Sequence, residues 1–343
     1  MNPKLLLLLL MPGLVAHAQN LKVPRASPAA SVSQTVGVTD ITVSYSRPSI
    51  GGRQVWGALV PYGDVWRAGA NENTTVAFST EVKVGGKLLK AGTYGLHIIP
   101  TAKEWTVAFS TMASAWGSFT YDPKEDAARL TLTPRANATS EESLSYRFDA
   151  PTETKVTLVM TWEKLSLPID IEVDTPKQTM ASIRTELRGL AQFDDRELSA
   201  AAAYWLKANG PVDEGLKLAD KAIARHPTYV NQVVKAGFLE KQGNAKAAEE
   251  LRAKAKAGAT EAELNQAAYT LMGDKKIDEA LGLFRFNVEH NPDSWNANDS
   301  LGEALLVKGD KVNAAASYKK ALTLAKDPVQ RKRIEGVLAR IGS

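Results

Sequence analysis

Through the first half of the chain, apolar and polar residues alternate. Ile41, Val43 and Tyr45 fall on one side of a period-two pattern, with Thr42 and Ser44 on the other, which is the mark of a half-buried strand. Thr75 to Val84 predicts two more short strands. Gly85-Gly86 then separates Val82-Lys83-Val84 from Lys87-Leu88-Leu89. Two glycines between short apolar runs predict a hairpin, because both central residues of a type I′ turn need positive φ. Thr93 to Ile99, Trp105 to Ser110, Arg129 to Thr133, Leu144 to Phe148, Lys155 to Trp162 and Leu167 to Val173 continue the series. Nine or ten short strands with polar turns, and no long helical pattern between them, predict an antiparallel β-sandwich or jelly-roll-like domain.

Beyond Thr175 the period becomes helical. Lys177 to Leu190 shows helical spacing and predicts a linking helix within 175–195, from Pro176 to Gln192. A repeat then runs to the end of the chain. Its first set is Ala203, Leu206, Gly210, Gly215, Ala219, Ala222 and Pro227. The second is Ala236, Leu239, Gly243, Ala248, Arg252 and Ala255. The third is Ala268, Leu271, Lys275, Ala280, Phe284, Asn287 and Pro292, and the fourth is Gly302, Leu305, Gly309, Ala314, Tyr318 and Ala321. The third-position residues Gly210, Gly243, Lys275 and Gly309 lie 33, 32 and 34 apart. Small residues let two helices of a unit approach, and large ones fill the space between units. This pattern resembles the tetratricopeptide repeat, and it predicts an α-solenoid of about four helical pairs over residues 196–343. Lys275 replaces the turn glycine, Gly215 an alanine, and Arg252 and Asn287 stand at positions that are usually apolar or small.

The N-terminus reads as a leader. Lys4 precedes a leucine run from Leu5 to Leu10, Pro12 and Gly13 end it, and Ala16-His17-Ala18 supplies a small-x-small cleavage site. Residues 1–18 are therefore expected to be a cleaved signal peptide, and the chain to be exported to the periplasm or the medium. Of the 343 residues none is Cys, which excludes disulfides, thiolate chemistry and lipid attachment through Cys. The formal charge of +4 belongs to the second half. Residues 19–174 carry 15 Lys/Arg against 16 Asp/Glu, and residues 175–343 carry 26 against 22. So small a surplus points to no nucleic-acid partner.

One segment of the first half is neither regular structure nor linker. It holds Arg47, Arg53, Trp56, Trp66, Arg67, Asn71 and Glu72 among many Gly and Pro. A second cluster holds His97, Trp105 and Trp116, followed by Tyr121-Asp122 and Glu125-Asp126. The matching text is Tyr45-Ser46-Arg47-Pro48, Leu59 to Gly63, Val65 to Glu72, Ala91 to His97, Glu104 to Val107 and Trp116 to Phe119 with Tyr121-Asp122 and Glu125-Asp126. Over residues 24–172 it resembles a family of exported β domains of unknown function, common in envelope proteins of Bacteroidota. The helical tail resembles a variant of that family that carries repeats. The resemblance implies a fold and a compartment, but no activity.

Two readings of these residues stand side by side. In the first, the arginines bind carbonyls or pair with Glu72 and Asp64, and the tryptophans are core. In the second, Arg47, Arg53 and Arg67 hold an anion, Trp56, Trp66 and Trp116 offer flat faces to a sugar or apolar ligand, and Asn71, Glu72, Asn73 and His97 orient it. There is no nucleophile elbow, phosphate loop, zinc-helix motif or dinucleotide fingerprint. Neither a catalytic residue, a cofactor nor a metal is therefore expected. The leading expectation is a non-enzymatic binding or scaffolding protein whose repeats hold a protein or peptide partner. The alternative is a glycan or anion binder, or a hydrolase, acting through the aromatic and Arg loop.

Overall fold

The computed structural model describes residues 23–342; the expected signal peptide lies outside them. The chain divides into two compact units, one ending at Gln178 and the next beginning at Thr179.

The first unit is built from two antiparallel sheets. Its strands are β1 (Ala29–Val36), β2 (Thr39–Ser46), β3 (Thr75–Phe78), β4 (Val82–Val84), β5 (Lys87–Leu89), β6 (Gly92–Ile99), β7 (Trp105–Ser110), β8 (Asp126–Leu132), β9 (Arg135–Asp149) and β10 (Lys155–Glu172). One sheet has the order β1-β2-β3-β6-β7-β8, and the other β5-β4-β10-β9. Alternation explains the layering. Ile41 and Val43 of β2, Leu96 and Ile98 of β6, Leu158 and Met160 of β10 and Leu144 of β9 meet in one core. Fully burying each such side chain contributes about 1.5–3 kcal/mol. Gly85 and Gly86 take φ of 53° and 79°, as the β4–β5 turn requires.

The strands differ from the expected ones in three places, the first being β9, which begins at Arg135 rather than Leu144. Lys155 to Val173 reads as two strands but forms the single β10. Its register against β9 shifts around Glu163, which takes φ 53°, so a bulge absorbs what the polar Glu163-Lys164 pair presents as a turn. Strand β1 gives too little apolar signal to stand out. It nonetheless pairs with β2 along its whole length.

The second unit is helical. Helix α1 (Thr175–Glu186) stops short of the expected Gln192, because the backbone at Gly189 leaves helical geometry and a 3-10 turn covers Leu190–Phe193. Four antiparallel pairs follow: α2 (Asp195–Lys207) with α3 (Val212–Arg225), α4 (Tyr229–Lys241) with α5 (Ala245–Gly258), α6 (Glu261–Gly273) with α7 (Ile277–His290), and α8 (Trp295–Lys308) with α9 (Lys311–Leu324). A further helix, α10 (Pro328–Gly342), packs on α9. Side chains of Asp194, Thr228, Asn244, Thr260, Ser294 and Asp310 cap the starts of helices, each accepting from a backbone N–H of the first turn. The small positions do what the pattern implies. A Cβ added at Gly302 would stand 2.9 Å from the Tyr318 ring, and one added at Gly215 would stand 2.2 Å from Phe238. The chain is thus an antiparallel β unit followed by tetratricopeptide-like helical pairs. Among the described residues no helix is long and apolar enough to cross a membrane.

Candidate functional site

The loop between β2 and β3 is fastened to β6 at two points. Trp66 and Ile98 exchange backbone hydrogen bonds of 2.8 Å in both directions, and Leu96 N–H donates to the Thr74 carbonyl at 2.8 Å. Between these points the chain leaves the sheet edge. Residues 67–73 thus form an excursion beside His97, with Ala68 and Asn71 at positive φ.

The excursion sorts the expected site residues. Four are held by bonds or ring contacts within the unit. Arg47 Nε donates to the Leu144 carbonyl, and Arg53 donates to the carbonyls of Ile50 and Ser49. Trp56 and Trp66 pack with Trp105 and Trp162, with ring centroids 4.4–5.9 Å apart, and Trp66 Nε1 donates to the Gly69 carbonyl. Trp56 is therefore buried in the core, and Trp66 packs partly buried against it. Two more anchor the preceding segment. Asn71 Nδ2 donates to the Ser27 carbonyl, and Glu72 accepts both oxygens' worth of hydrogen bonds from Arg25. That guanidinium holds the Glu72 carboxyl below its usual range.

The loop after β7, which carries Trp116, sets Ser118 against His97 and Gly117 against Arg67. His97 is 2% exposed, and its Nδ1 lies 2.9 Å from Ser118 Oγ. Burial lowers the imidazole pKa, against an opposing pull from Asp126. Tyr121 packs at a 50° tilt against the ring, 4.8 Å between centroids, and donates from its hydroxyl to Asp126. Arg129 also donates to Asp126. The approach of this loop depends on small residues. A Cβ at Gly95 would stand 2.5 Å from the Met112 carbonyl oxygen, 2.8 Å from Asn73 Nδ2 and 3.4 Å from His97 Nε2. A Cβ at Gly117 would stand 3.0 Å from Arg67 Nη1. Trp116 is 60% exposed and Phe119 83%.

Several polar atoms in this cluster are buried with no hydrogen-bond partner. They are Arg67 Nε, Asn73 Oδ1 and Asp126 Oδ1. Each such atom costs about 1–3 kcal/mol. Sequence reasoning passed over Ser118 and Asp126 as site residues, although both stand in the second aromatic cluster. Their proximity to His97 follows from the fold of that loop.

A second candidate lies in the helical unit. Helix α3 packs along α4, and α7 along α8, but α5 has at most marginal contact with α6. The apolar core is divided at the same place. One cluster gathers Ala202, Trp205, Ala219, Val234 and Phe238, and another gathers residues of α6 to α9. Between them opens a cleft of ≈ 460 Å³, walled by Val230, Val233, Leu271 and Leu283, with Arg252 and Lys256 on α5. Arg252, flagged in the sequence as a departure from an apolar position, is ion-paired to Glu240, and the Lys256 ammonium sits 4.1 Å over the Phe286 ring. Long charged side chains therefore stand where a small or apolar residue would close the seam. Gly282 also lines the cleft, and a Cβ added there would meet nothing within 4 Å.

Residues 27–171 match DUF2911, a protein family of unknown function. The DUF2911 region takes in every strand, apart from the last residue of β10, and the whole His97 cluster. No curated protein matches the chain. Among solved structures, it is similar to YrrB, described as a TPR protein with an unusual peptide-binding site. The identity is 17%, over 47% of this chain and 84% of that one, with a TM-score of 0.26. It is also similar to a tetratricopeptide repeat protein from Parabacteroides merdae, at 15% identity over 45% and 60% with a TM-score of 0.27. A third is MamA from Desulfovibrio magneticus RS-1, at 18% identity over 44% and 86% with a TM-score of 0.24.

Proposed function

We propose that this chain is an exported, non-enzymatic binding or scaffolding protein whose repeat unit holds a peptide or protein segment. The observation that carries the reading is the open seam between the second and third helical pairs. Helical-pair arrays bury their apolar faces against neighbours. Here one such face is left uncovered, with valines and leucines on its walls and two cations on α5. The fitting occupant is a segment with apolar side chains next to a carboxylate, the apolar part against Val230, Val233 and Leu271 and the acid toward Lys256. Gly282 supports the same reading. Glycine inside a helix costs about 1 kcal/mol relative to alanine. No neighbour requires it here, and its missing side chain keeps the cleft wide.

Random dodecapeptides panned on the full mature chain test this. The selected sequences should pair apolar residues with Asp or Glu. Affinity for the consensus peptide should fall about tenfold or more, at least 1.4 kcal/mol, in both Gly282→Leu and Lys256→Glu. The melting temperature of Gly282→Leu should stay level or rise, which separates a blocked cleft from a damaged fold. Selected peptides indifferent to both substitutions would overturn the placement. Export rests on the leader, and its test is the N-terminus of the chain recovered from fractionated cells. Cleavage before Gln19 supports it, and an intact Met1 in the cytosolic fraction refutes it.

A further inference from the structure

The two sheets of the first unit have four edges, and three of them carry features that discourage a further strand. β5 is 3 residues long and begins with the exposed Lys87. β8 carries the exposed Arg129, and its register against β7 shifts between Phe109 and Ser110. β9 carries Arg135, Glu141, Glu142, Arg147 and Asp149 and shifts register twice against β10. The Ser49–Ser143 bridge also ties it to the chain after β2. Shortness, charge and bulges are the devices that keep an open edge from pairing with another chain.

Strand β1 has none of them. Its 8 residues include no charge, no Pro and no Gly, and it pairs with β2 without a shift. The register shows which groups it leaves open. Arg47 N–H donates to the Pro28 carbonyl. In an antiparallel ladder the bonding direction alternates, so the even-numbered residues of β1 bond to β2 and the odd-numbered ones point N–H and C=O away from it. Those are Ala29, Ser31, Ser33 and Thr35, all exposed. Among the described residues one bond reaches that row, from Gln34 Nε2 to the Thr35 carbonyl, at an exposed position.

A second copy of the same strand fits this edge. The four outward residues all find partners when Ala29 of one copy meets Thr35 of the other and Ser31 meets Ser33. Any other antiparallel register leaves part of the row unpaired. The pairing is self-complementary, as a two-fold contact must be, and its axis passes between the two Val32 residues. Small hydroxyl side chains meet on the exposed face. On the other face Val32, only partly buried against the core, gains its own counterpart as an apolar neighbour. No charge on the strand opposes the approach.

We infer that β1 pairs antiparallel with β1 of a second copy, joining two 6-stranded sheets into one across an axis at Val32. The contact belongs to the first unit and is independent of the peptide cleft in the second.

Sedimentation of the full mature chain across the micromolar range tests this. A seam one strand long is small beside the roughly 1,000 Å² of a stable interface, so the dimer should be reversible and grow with concentration. Ser33→Lys places a cation on each strand beside the axis and should weaken association about tenfold or more, with the urea midpoint close to that of the parent. Ser33→Thr keeps the hydroxyl that bonds Thr42 and should dimerise as the parent does. The chain has no cysteine, so a single introduced thiol reads the register. Val32→Cys would face itself in a non-hydrogen-bonded pair, with Cα atoms about 4.5 Å apart, within reach of a disulfide. Gln34→Cys, on the same face, would stand opposite Ala30. Mild oxidation should therefore link Val32→Cys into a covalent dimer and leave Gln34→Cys largely unlinked. Gly282→Leu should dimerise normally. A chain that stays monomeric at every concentration, a dimer indifferent to Ser33→Lys, or equal linking at both thiol positions would each overturn the proposal.

Discussion

At the scale of single residues, burial decides what a polar side chain can do. His97 sits among Ser118, Tyr121 and, beyond it, Asp126 and Arg129. Desolvation favours its neutral form in the folded chain. An unfolded imidazole titrates near 6.5. Between that value and the lower folded one, the unfolded chain binds more protons, so stability falls with decreasing pH. The contribution is fully present above about pH 6.5 and is lost below it. Urea midpoints measured from pH 7.5 to 5 should drop more steeply for the parent than for His97→Asn, whatever the offset between them. Parallel profiles would contradict the burial argument. The same scale shows what sequence can and cannot reveal. The two aromatic clusters drew attention to Arg47, Arg53, Trp56, Trp66, Arg67, Asn71, Glu72, Asn73, His97 and Trp116, of which the loop after β7 meets Arg67, Asn73 and His97 and carries Trp116. Arg47 and Arg67 are the same side chain in similar text. Only the three-dimensional path supplies Leu144 as an acceptor to the Nε of one and, among the described residues, none to the Nε of the other.

At the scale of elements, periodicity was informative wherever one face is buried and weak wherever it is not. Strand β2 alternates between buried and open positions and reads plainly, whereas the first half of β9 is mostly exposed and carries no apolar signal. The helices read well because each unit needs small residues at fixed places. Their turns have a local cost. Lys275 takes φ 63° between α6 and α7, where Gly243 and Gly309 occupy the corresponding turns at 82° and 89°. A left-handed backbone costs a non-glycine residue about 1–2 kcal/mol. Lys275→Gly should therefore stabilise the helical unit by about 1 kcal/mol, less any loss from the greater freedom of glycine in the unfolded chain. Chemical denaturation followed at 222 nm reads this directly, and a destabilised variant would show that the Lys275 side chain makes a compensating contact. The seam at α5 was half legible. Arg252 stood out as a departure, but an open interface is a relation between two helices, and the repeat pattern describes each unit against an average neighbour.

At the scale of the whole molecule, two units fold in one chain. Five of the seven tryptophans, Trp56, Trp66, Trp105, Trp116 and Trp162, lie in the first unit, and Trp205 and Trp295 lie in the second. Tryptophan emission therefore reports chiefly on the sheets, and ellipticity at 222 nm chiefly on the helices. A chain of two units need not unfold in one step. Thermal or urea curves from the two probes should fail to superimpose, and coincident curves would mean that the units unfold as one. The chain has no cysteine, so these transitions should be the same with and without reductant.

The divided core of the helical unit has a consequence for cooperativity. Where two neighbouring pairs share little apolar core, the free energy that couples them is reduced, and the pairs up to α5 and those from α6 onward should behave more as two short stacks. A bound segment touching both α4 and α6 would supply the missing coupling and make the array melt as one longer body. Present at a hundred times its dissociation constant, it would add about 2.7 kcal/mol to whatever it holds together. The partner would then be a removable piece of the array's own core, and the sharpness of the melting transition would count its occupancy.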